Sequence, residues 1–238
     1  MRQVIAMHGW SGDSNTWQGW TEQFRESEWL WQSTERGYGD IPASTPRWVH
    51  TSEKDCYQRR VVIAHSLGLH IIKSEVLEKA TDIVLLGSFS QFIPNGIESR
   101  YLKTALKGMQ KQLGTPAEVK MLKNFLHKAC HPQAVNTVPP GPITKGLSFE
   151  GHIKLQADLE LLIQTHKLPS SLPTQARVLI VQGEEDSIVL PSTRNSLRED
   201  LNKHLENAPT NWNIARAGHL LLVPGLSKRV KNWLETYS

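Results

Sequence analysis

One serine stands in a sequence context that could make its hydroxyl a nucleophile. Ser66 follows a run of β-branched residues at 61–63, and the small residues Ala64 and Gly68 lie two positions to either side of it. β-Branched residues favour a buried strand. Small neighbours allow the sharp strand–turn–helix, written G-x-S-x-G, that exposes a serine at the carboxyl end of a sheet. An incidental serine in an ordinary strand–turn–helix is the alternative.

A serine hydroxyl is a weak nucleophile and needs a histidine base that is oriented by an acid. Asp186 and His219 each follow a short apolar run that predicts a strand. The chain order serine, acid, histidine is known for such a triad, and open α/β sheets keep their active sites at the carboxyl ends of strands. Glu185 is the alternative acid, but Ile188-Val189 after the loop favours Asp186.

Acyl transfer also needs hydrogen-bond donors for the negative charge that develops on the carbonyl oxygen. The backbone N–H of Leu67, directly after the serine, is one candidate. The second should come from the loop after an early strand, and His8-Gly9-Trp10 follows the first predicted strand. The backbone N–H of Trp10 is therefore the second candidate, although His8-Gly9 alone would indicate an ordinary turn.

The elements that must position these residues alternate between short apolar runs and helical patterns. This alternation predicts an α/β fold, a mostly parallel sheet flanked by helices. The predicted strands are residues 4–7, 29–33, 61–64, 83–87, 178–182 and 212–215. About ninety residues separate the fourth strand from the fifth. Because a structureless loop of that length is uncommon in a compact domain, we expect an inserted helical subdomain.

Three helices are predicted in this insertion, over residues 100–113, from about residue 116 to 129, and over 153–164. Thr115-Pro116-Ala117-Glu118 is typical of a helix start, with an N-cap, a proline and a capping-box glutamate. The first helix should turn one set of apolar side chains inward: Leu102, Ala105, Leu106, Met109 and Leu113. The second should bury another set: Val119, Leu122, Phe125, Leu126 and Ala129.

Positive charge is concentrated in the insertion. Residues 98–128 carry seven basic and two acidic side chains, a net charge of +5, whereas the whole chain carries +4 at pH 7. Confinement of the excess to one segment points to a local anionic partner rather than to nucleic acid. A solvated lysine-rich surface is the commoner explanation of such a run. The basic residues are Arg100, Lys103, Lys107, Lys111, Lys120, Lys123 and Lys128.

Length and composition exclude several other classes of protein. A chain of 238 residues with 39% hydrophobic content fits one domain with an insertion. No run approaches the roughly 18 apolar residues of a membrane span, and the apolar start is too short for a signal peptide. Cys56 and Cys130 are far apart and should be reduced, and the histidines show no metal-ligand spacing. We expect a cytoplasmic monomer with no cofactor, metal, membrane or nucleic acid partner.

With Ser66, Asp186 and His219 placed, the chain resembles the α/β-hydrolases over essentially its whole length. More narrowly, it resembles the pimeloyl-[acyl-carrier protein] methyl ester esterases, which release the pimeloyl chain for biotin synthesis. The shared motifs are His8-Gly9-Trp10, Ser66-Leu67-Gly68, Leu86-Gly87-Ser88 and Asn124-Phe125-Leu126. Ala64 and Leu69 depart from the family pattern, which has glycine at the first position and often at the second.

The resemblance implies an α/β-hydrolase core of residues 1–90 and 168–238 with a helical lid of residues 91–167. It implies a catalytic triad of Ser66, Asp186 and His219, and contact of the substrate with Trp10, Leu67, Phe125 and His219. It further implies that acidic acyl-carrier protein docks on basic lid side chains. The docking candidates are Arg100, Lys103, Lys107, Lys111, Lys120 and Lys123.

The sequence leaves three functions open. The first is a serine carboxylesterase that hydrolyses the methyl ester of pimeloyl-acyl-carrier protein. The second is a short-chain carboxylesterase of unknown substrate, whose lysines are only a solvated surface. The third is a hydrolase fold used as a small-molecule receptor, since a fold does not fix a function.

Overall fold

Six parallel strands form one sheet at the centre of the computed structural model, which describes residues 1–49 and 59–236. The strands are β1 (Arg2–Met7), β2 (Leu30–Thr34), β3 (Arg59–His65), β4 (Asp82–Leu86), β5 (Arg177–Gly183) and β6 (Thr210–Ile214). Their order across the sheet is β2-β1-β3-β4-β5-β6, and each neighbouring pair is parallel. All carboxyl ends therefore lie along one edge, and the predicted α/β sheet is confirmed.

Helices connect the strands. They are α1 (Gln18–Arg25), α2 (Gly68–Ile71), α3 (Ser74–Leu77), α4 (Glu98–Gln112), α5 (Glu118–Cys130), α6 (Pro142–Lys145), α7 (Phe149–Gln164), α8 (Pro191–His204) and α9 (Leu226–Glu235). Short 3-10 helices span Ser14–Trp17 and Val135–Thr137. Within the described residues, no helix combines the length and the apolar character needed to cross a bilayer.

Each face of the sheet packs against its own hydrophobic cluster. Because side chains alternate along a strand, Val61 and Ile63 of β3 point to one face and Val62 and Ala64 to the other. A third cluster lies above the carboxyl edge, between the ends of the strands and the insertion, and includes Tyr38. Burial on both faces explains why the central strands are continuous apolar runs.

All six predicted strands are present, with ends displaced by one or two residues. The strand predicted at 212–215 begins two residues earlier, because Thr210 pairs with Leu179 of β5, and it ends one residue earlier, because the chain turns after Ile214. Cys130 is a buried free thiol at the end of α5, whereas Cys56 lies outside the described residues.

Helices α4 to α7 lie between β4 and β5, where the insertion was predicted. The third predicted helix begins earlier than expected, at Phe149, because the hydroxyl of Ser148 accepts a hydrogen bond from the N–H of Gly151 at 2.9 Å. The division of the chain into core and lid at residues 91 and 167 stays a prediction.

Two predicted core positions of the insertion were wrong. Ala105 is exposed, and Val119 is 57% exposed. In α5 the inward stripe runs from Glu118 through Leu122 to Ala129, so Val119 lies beside it. Glu118 turns inward because its carboxylate accepts from the N–H of Gly114 at 2.7 Å and faces Nδ1 of His152 at 3.1 Å.

Candidate active site

Ser66 occupies a sharp turn between the end of β3 and the start of α2. Its φ angle is +53°, in the left-handed region that non-glycine residues seldom adopt. A Cβ on Gly68 would lie 2.6 Å from the carbonyl oxygen of Met7, so a side chain there would force α2 away from β1. The N–H of Ser66 donates to the carbonyl of Leu86 at 2.9 Å. The turn therefore has the predicted form, with Ala64 accommodated in the core.

The three residues predicted to converge do so. His219 Nε2 lies 3.0 Å from Ser66 Oγ, and His219 Nδ1 lies 2.9 Å from Asp186 Oδ2. Because the carboxylate can only accept, Nδ1 carries the proton in the neutral ring and Nε2 accepts from the serine hydroxyl. All three side chains are buried, and Glu185, the alternative acid, is exposed.

The backbone around Asp186 keeps its carboxylate charged. Oδ1 accepts from the N–H groups of Ile188 at 2.8 Å and Val189 at 2.9 Å, while Oδ2 faces His219. Burial alone would raise the pKa of Asp186, but His219 and the two N–H groups outweigh it and hold the pKa below its ordinary value. A charged, buried carboxylate fixes the orientation of the imidazole.

Two backbone N–H groups beside Ser66 are available to a ligand. A Cβ on Gly9 would lie 3.0 Å from Ser66 Cβ, so the loop after β1 runs directly against the serine. Trp10 follows Gly9, and Leu67 follows the serine. Among the described residues, neither the N–H of Trp10 nor that of Leu67 donates to another backbone group. That these two groups stabilise an oxyanion stays a prediction.

His65, the last residue of β3, holds the loop that carries His219. Its Nε2 lies 3.0 Å from the carbonyl oxygen of His219, and the two rings lie 4.9 Å apart. Burial, and next the neighbouring His219 ring, lower the pKa of His65 to about 3. The ring is therefore neutral at physiological pH and donates from Nε2.

A cavity of about 710 Å³ opens beside the triad. Gly9 and His65 line it on the core side, and Trp10 and Phe125 line it as predicted for substrate contacts. Ser66, Leu67, Asp186 and His219 are not among its lining residues. The side chain of Leu67 is fully buried in the third cluster, so its expected place on the channel wall was wrong.

The insertion is bonded to the loops that carry the triad. The N–H of Leu220 donates to the carbonyl of Ala129 at 3.1 Å, and the hydroxyl of Ser187 donates to the carbonyl of Lys128 at 3.3 Å. Trp10 donates from its indole to the carbonyl of Leu155 at 2.9 Å and meets Phe125 edge-on at 5.1 Å. The end of α5 thus contacts both the acid loop and the histidine loop.

The basic residues of the insertion lie apart from the triad, on its surface. All seven side chains predicted to face outward are exposed. Within residues 1–49 and 59–236, none of them forms an ion pair with a carboxylate. Their charge is available to a partner in solution.

Sequence reasoning missed several residues of the cavity wall. Asp13 lines the cavity, as do residues 220–224 after the histidine loop and residues 137–139 and 141–144 of the insertion. The Gly9-Trp10-Ser11-Gly12-Asp13 sequence could have indicated Asp13, because it follows directly on the predicted oxyanion loop. The other two segments meet the cavity only through the path of the folded chain.

No model of a protein family matches this chain, and no curated protein matches its sequence. Solved structures match it over nearly its full length. A thermophilic esterase from Thermogutta terrifontis is 15% identical with a TM-score of 0.64, covering 99% of this chain and 90% of that chain. MGS-M2, an α/β-hydrolase enzyme from a Medee basin deep-sea metagenome library, is 16% identical with a TM-score of 0.67, covering 100% and 90%.

The bottromycin epimerase BotH is 10% identical with a TM-score of 0.64, covering 100% of this chain and 91% of that chain. These likenesses show that the chain has the α/β-hydrolase fold. Since an esterase and an epimerase match it equally well, the chemistry has to be argued from the side chains.

Proposed function

We propose that this protein is a serine carboxylesterase and that its substrate is the methyl ester of a pimeloyl chain on acyl-carrier protein, in biotin biosynthesis. The observation that carries the hydrolase assignment is the unbroken chain of hydrogen bonds from Ser66 through His219 to Asp186, beside two available backbone N–H groups. The fold shared with the Thermogutta esterase is compatible with it.

The geometry leads to a two-step mechanism. His219 Nε2 takes the proton of Ser66 as the hydroxyl attacks the ester carbonyl, and the N–H groups of Trp10 and Leu67 stabilise the oxyanion. Methanol leaves with the proton from Nε2, and an acyl-serine remains. Water then gives up a proton to His219, attacks the acyl group and regenerates Ser66. Asp186 keeps Nδ1 protonated and stabilises the imidazolium form.

Charge supports the carrier part of the proposal. Acyl-carrier proteins are strongly acidic, and the insertion presents seven exposed cations without carboxylate partners in the described chain. Such a surface attracts an acidic protein at long range, and salt weakens the attraction. The apolar cavity beneath the insertion offers room for an alkyl chain.

Replacing the nucleophile tests the hydrolase assignment. Ser66→Ala should lose hydrolysis of p-nitrophenyl butyrate by about 10⁶-fold, as in other triads, with an unchanged circular dichroism spectrum. The wild type should also be labelled by a fluorophosphonate probe, and the variant should not. A wild type that neither turns over the ester nor takes the label would favour the receptor function.

Charge reversal tests the carrier. Lys103→Glu, Lys107→Glu and Lys111→Glu together should lower kcat/KM for pimeloyl-carrier methyl ester by at least tenfold and leave p-nitrophenyl butyrate unchanged. The matched control reverses Lys79, Lys203 and Lys228, which are exposed outside the insertion and change net charge equally. Equal effects of the two triple variants, or indifference of the reaction to ionic strength, would favour a short-chain esterase without a carrier.

A further inference from the structure

The cavity is unevenly charged. Its ionisable wall residues are His8, Asp13 and His65, and no lysine or arginine lines it among the described residues. His65 is neutral, as shown above, and His8 faces the buried carboxylate of Glu35 at 3.3 Å. The net charge on the wall therefore comes from Asp13.

Asp13 has unused hydrogen-bonding capacity. It is 5% exposed, and its two oxygens accept from the backbone N–H and the side-chain amide of Asn15, at 3.1 and 3.0 Å. Each carboxylate oxygen can accept two hydrogen bonds, so an acceptor position remains on each. A Cβ on Gly141 would lie 3.4 Å from Oδ2, so the backbone of the insertion closes over this carboxylate.

We propose that Asp13 determines specificity: it favours substrates whose apolar chain ends in an ammonium or hydroxyl group and rejects chains that end in a carboxylate. A donor at the end of the chain would fill the open acceptor positions. An anion there would meet Asp13, with Glu35 close behind it, and no lysine or arginine of the described residues lines the wall to compensate. Like charges brought together out of water repel each other more strongly than they do in solvent. This inference rests on the proposed ester hydrolysis and concerns the end of the chain remote from the ester, where a chain joined to a carrier has no free carboxylate to meet Asp13.

One substitution removes the charge and keeps the fold. Asp13 is the N-cap of the 3-10 helix Ser14–Trp17, and asparagine caps as well as aspartate does. Asp13→Asn therefore keeps the cap while it removes the charge. Asp40→Asn, at an exposed position, is the matched control. Because burial and then Glu35 raise the pKa of Asp13, the measurements belong at about pH 8, well above the ordinary pKa of a carboxyl group.

The test compares p-nitrophenyl esters of 6-aminohexanoate, hexanoate and adipate. Wild type and Asp40→Asn should prefer the ammonium ester to the carboxylate ester in kcat/KM, and Asp13→Asn should reduce this preference by about tenfold or more. If all three esters are hydrolysed and Asp13→Asn leaves the preference among them unchanged, the inference about Asp13 is overturned. The proposed hydrolase function would still stand.

Binding measurements without turnover test the role of Asp13 independently of the proposed reaction. In the Ser66→Ala background, calorimetry should show hexylammonium binding more tightly than hexanoate, with the difference lost on adding Asp13→Asn. Equal affinities for the two ions would overturn the inference even if the esters are turned over. A difference that Asp13 controls, in a protein that hydrolyses no ester, would instead overturn the proposed reaction.

Discussion

The two sides of the cavity are built differently. On the core side, Ser66, Asp186 and His219 follow the ends of parallel strands, and each is buried and hydrogen-bonded to its neighbour. On the insertion side, α4 and α5 present exposed cations outward and apolar side chains inward. The side chains of the core side are thus held in fixed positions by burial and hydrogen bonds, whereas the cations of the insertion side are exposed to solvent.

Several hydrogen bonds join the two sides. Asp158 of α7 receives a bidentate hydrogen bond from Arg36 and one from the hydroxyl of Tyr38, all at 2.6 Å. Trp10 binds α7, and Leu220 binds the end of α5. Substitutions on the core side should therefore change kcat, whereas substitutions at these attachments should change stability and substrate affinity.

After the loss of Ser66 itself, the largest expected effect is the loss of the charge on Asp186, also on the core side. Asp186→Asn keeps an oxygen for the N–H groups of Ile188 and Val189 but turns an NH₂ group toward His219, which favours the wrong tautomer. We expect kcat to fall by about 10⁴-fold with little change in KM. Glu185→Gln, one residue away and exposed, should retain full activity. A strong loss of activity in the Glu185 variant would mean that Glu185, and not Asp186, is the acid of the triad.

The next effect contrasts a buried histidine with an exposed one. The pKa of His65 is about 3 in the folded protein and near its ordinary 6.5 when unfolded, so the unfolded chain binds the extra proton between these values. Its contribution to stability is complete above about pH 6.5 and is lost as the pH falls toward 3. The slope approaches about 1.4 kcal/mol per pH unit.

His65→Gln should reduce the slope with which the urea midpoint of unfolding changes with pH in this window. His127→Gln, at an exposed position of α5, should show the same slope as the wild type. The comparison of slopes is insensitive to any uniform loss of stability from the substitution. Parallel curves for wild type and His65→Gln would mean that the acid sensitivity of the fold arises elsewhere.

Local patterns predicted the core side well. The β-branched run before Ser66, the loop order of Asp186 and His219, and the small residues at 64 and 68 each depend on a few consecutive residues. The strands that bring the three side chains together are set by the same apolar runs. For this reason both the fold and the triad geometry followed from the sequence.

The insertion side was predicted less well because it depends on packing between distant segments. Glu118 and Val119 are adjacent on a helix, and the folded partners of Glu118, the N–H of Gly114 and the ring of His152, decide which one faces inward. The side chain of Leu67 is buried in the third cluster and does not line the cavity, because the insertion packs over that cluster. The position of Gly141 against Asp13 also depends on the path of the insertion and has no local sequence signal.

The smallest expected effect tests the attachment itself. Trp10→Phe removes the indole donor to Leu155 and keeps an aromatic ring against Phe125, while its backbone N–H is unchanged. We expect a loss of about 1 kcal/mol in the free energy of unfolding, a severalfold rise in KM and an almost unchanged kcat. Trp48→Phe is the matched control, since its indole donates to the carbonyl of Val76 at 2.9 Å within the core.

The two variants should lose similar stability in urea unfolding, and only Trp10→Phe should raise KM for p-nitrophenyl butyrate. The contrast matters because hydrolysis is assigned to the backbone of residue 10 and attachment of the insertion to its side chain. A fall in kcat as large as that expected for Asp186→Asn would mean that the indole positions the reacting groups, and the two sides of the cavity would then act as one unit.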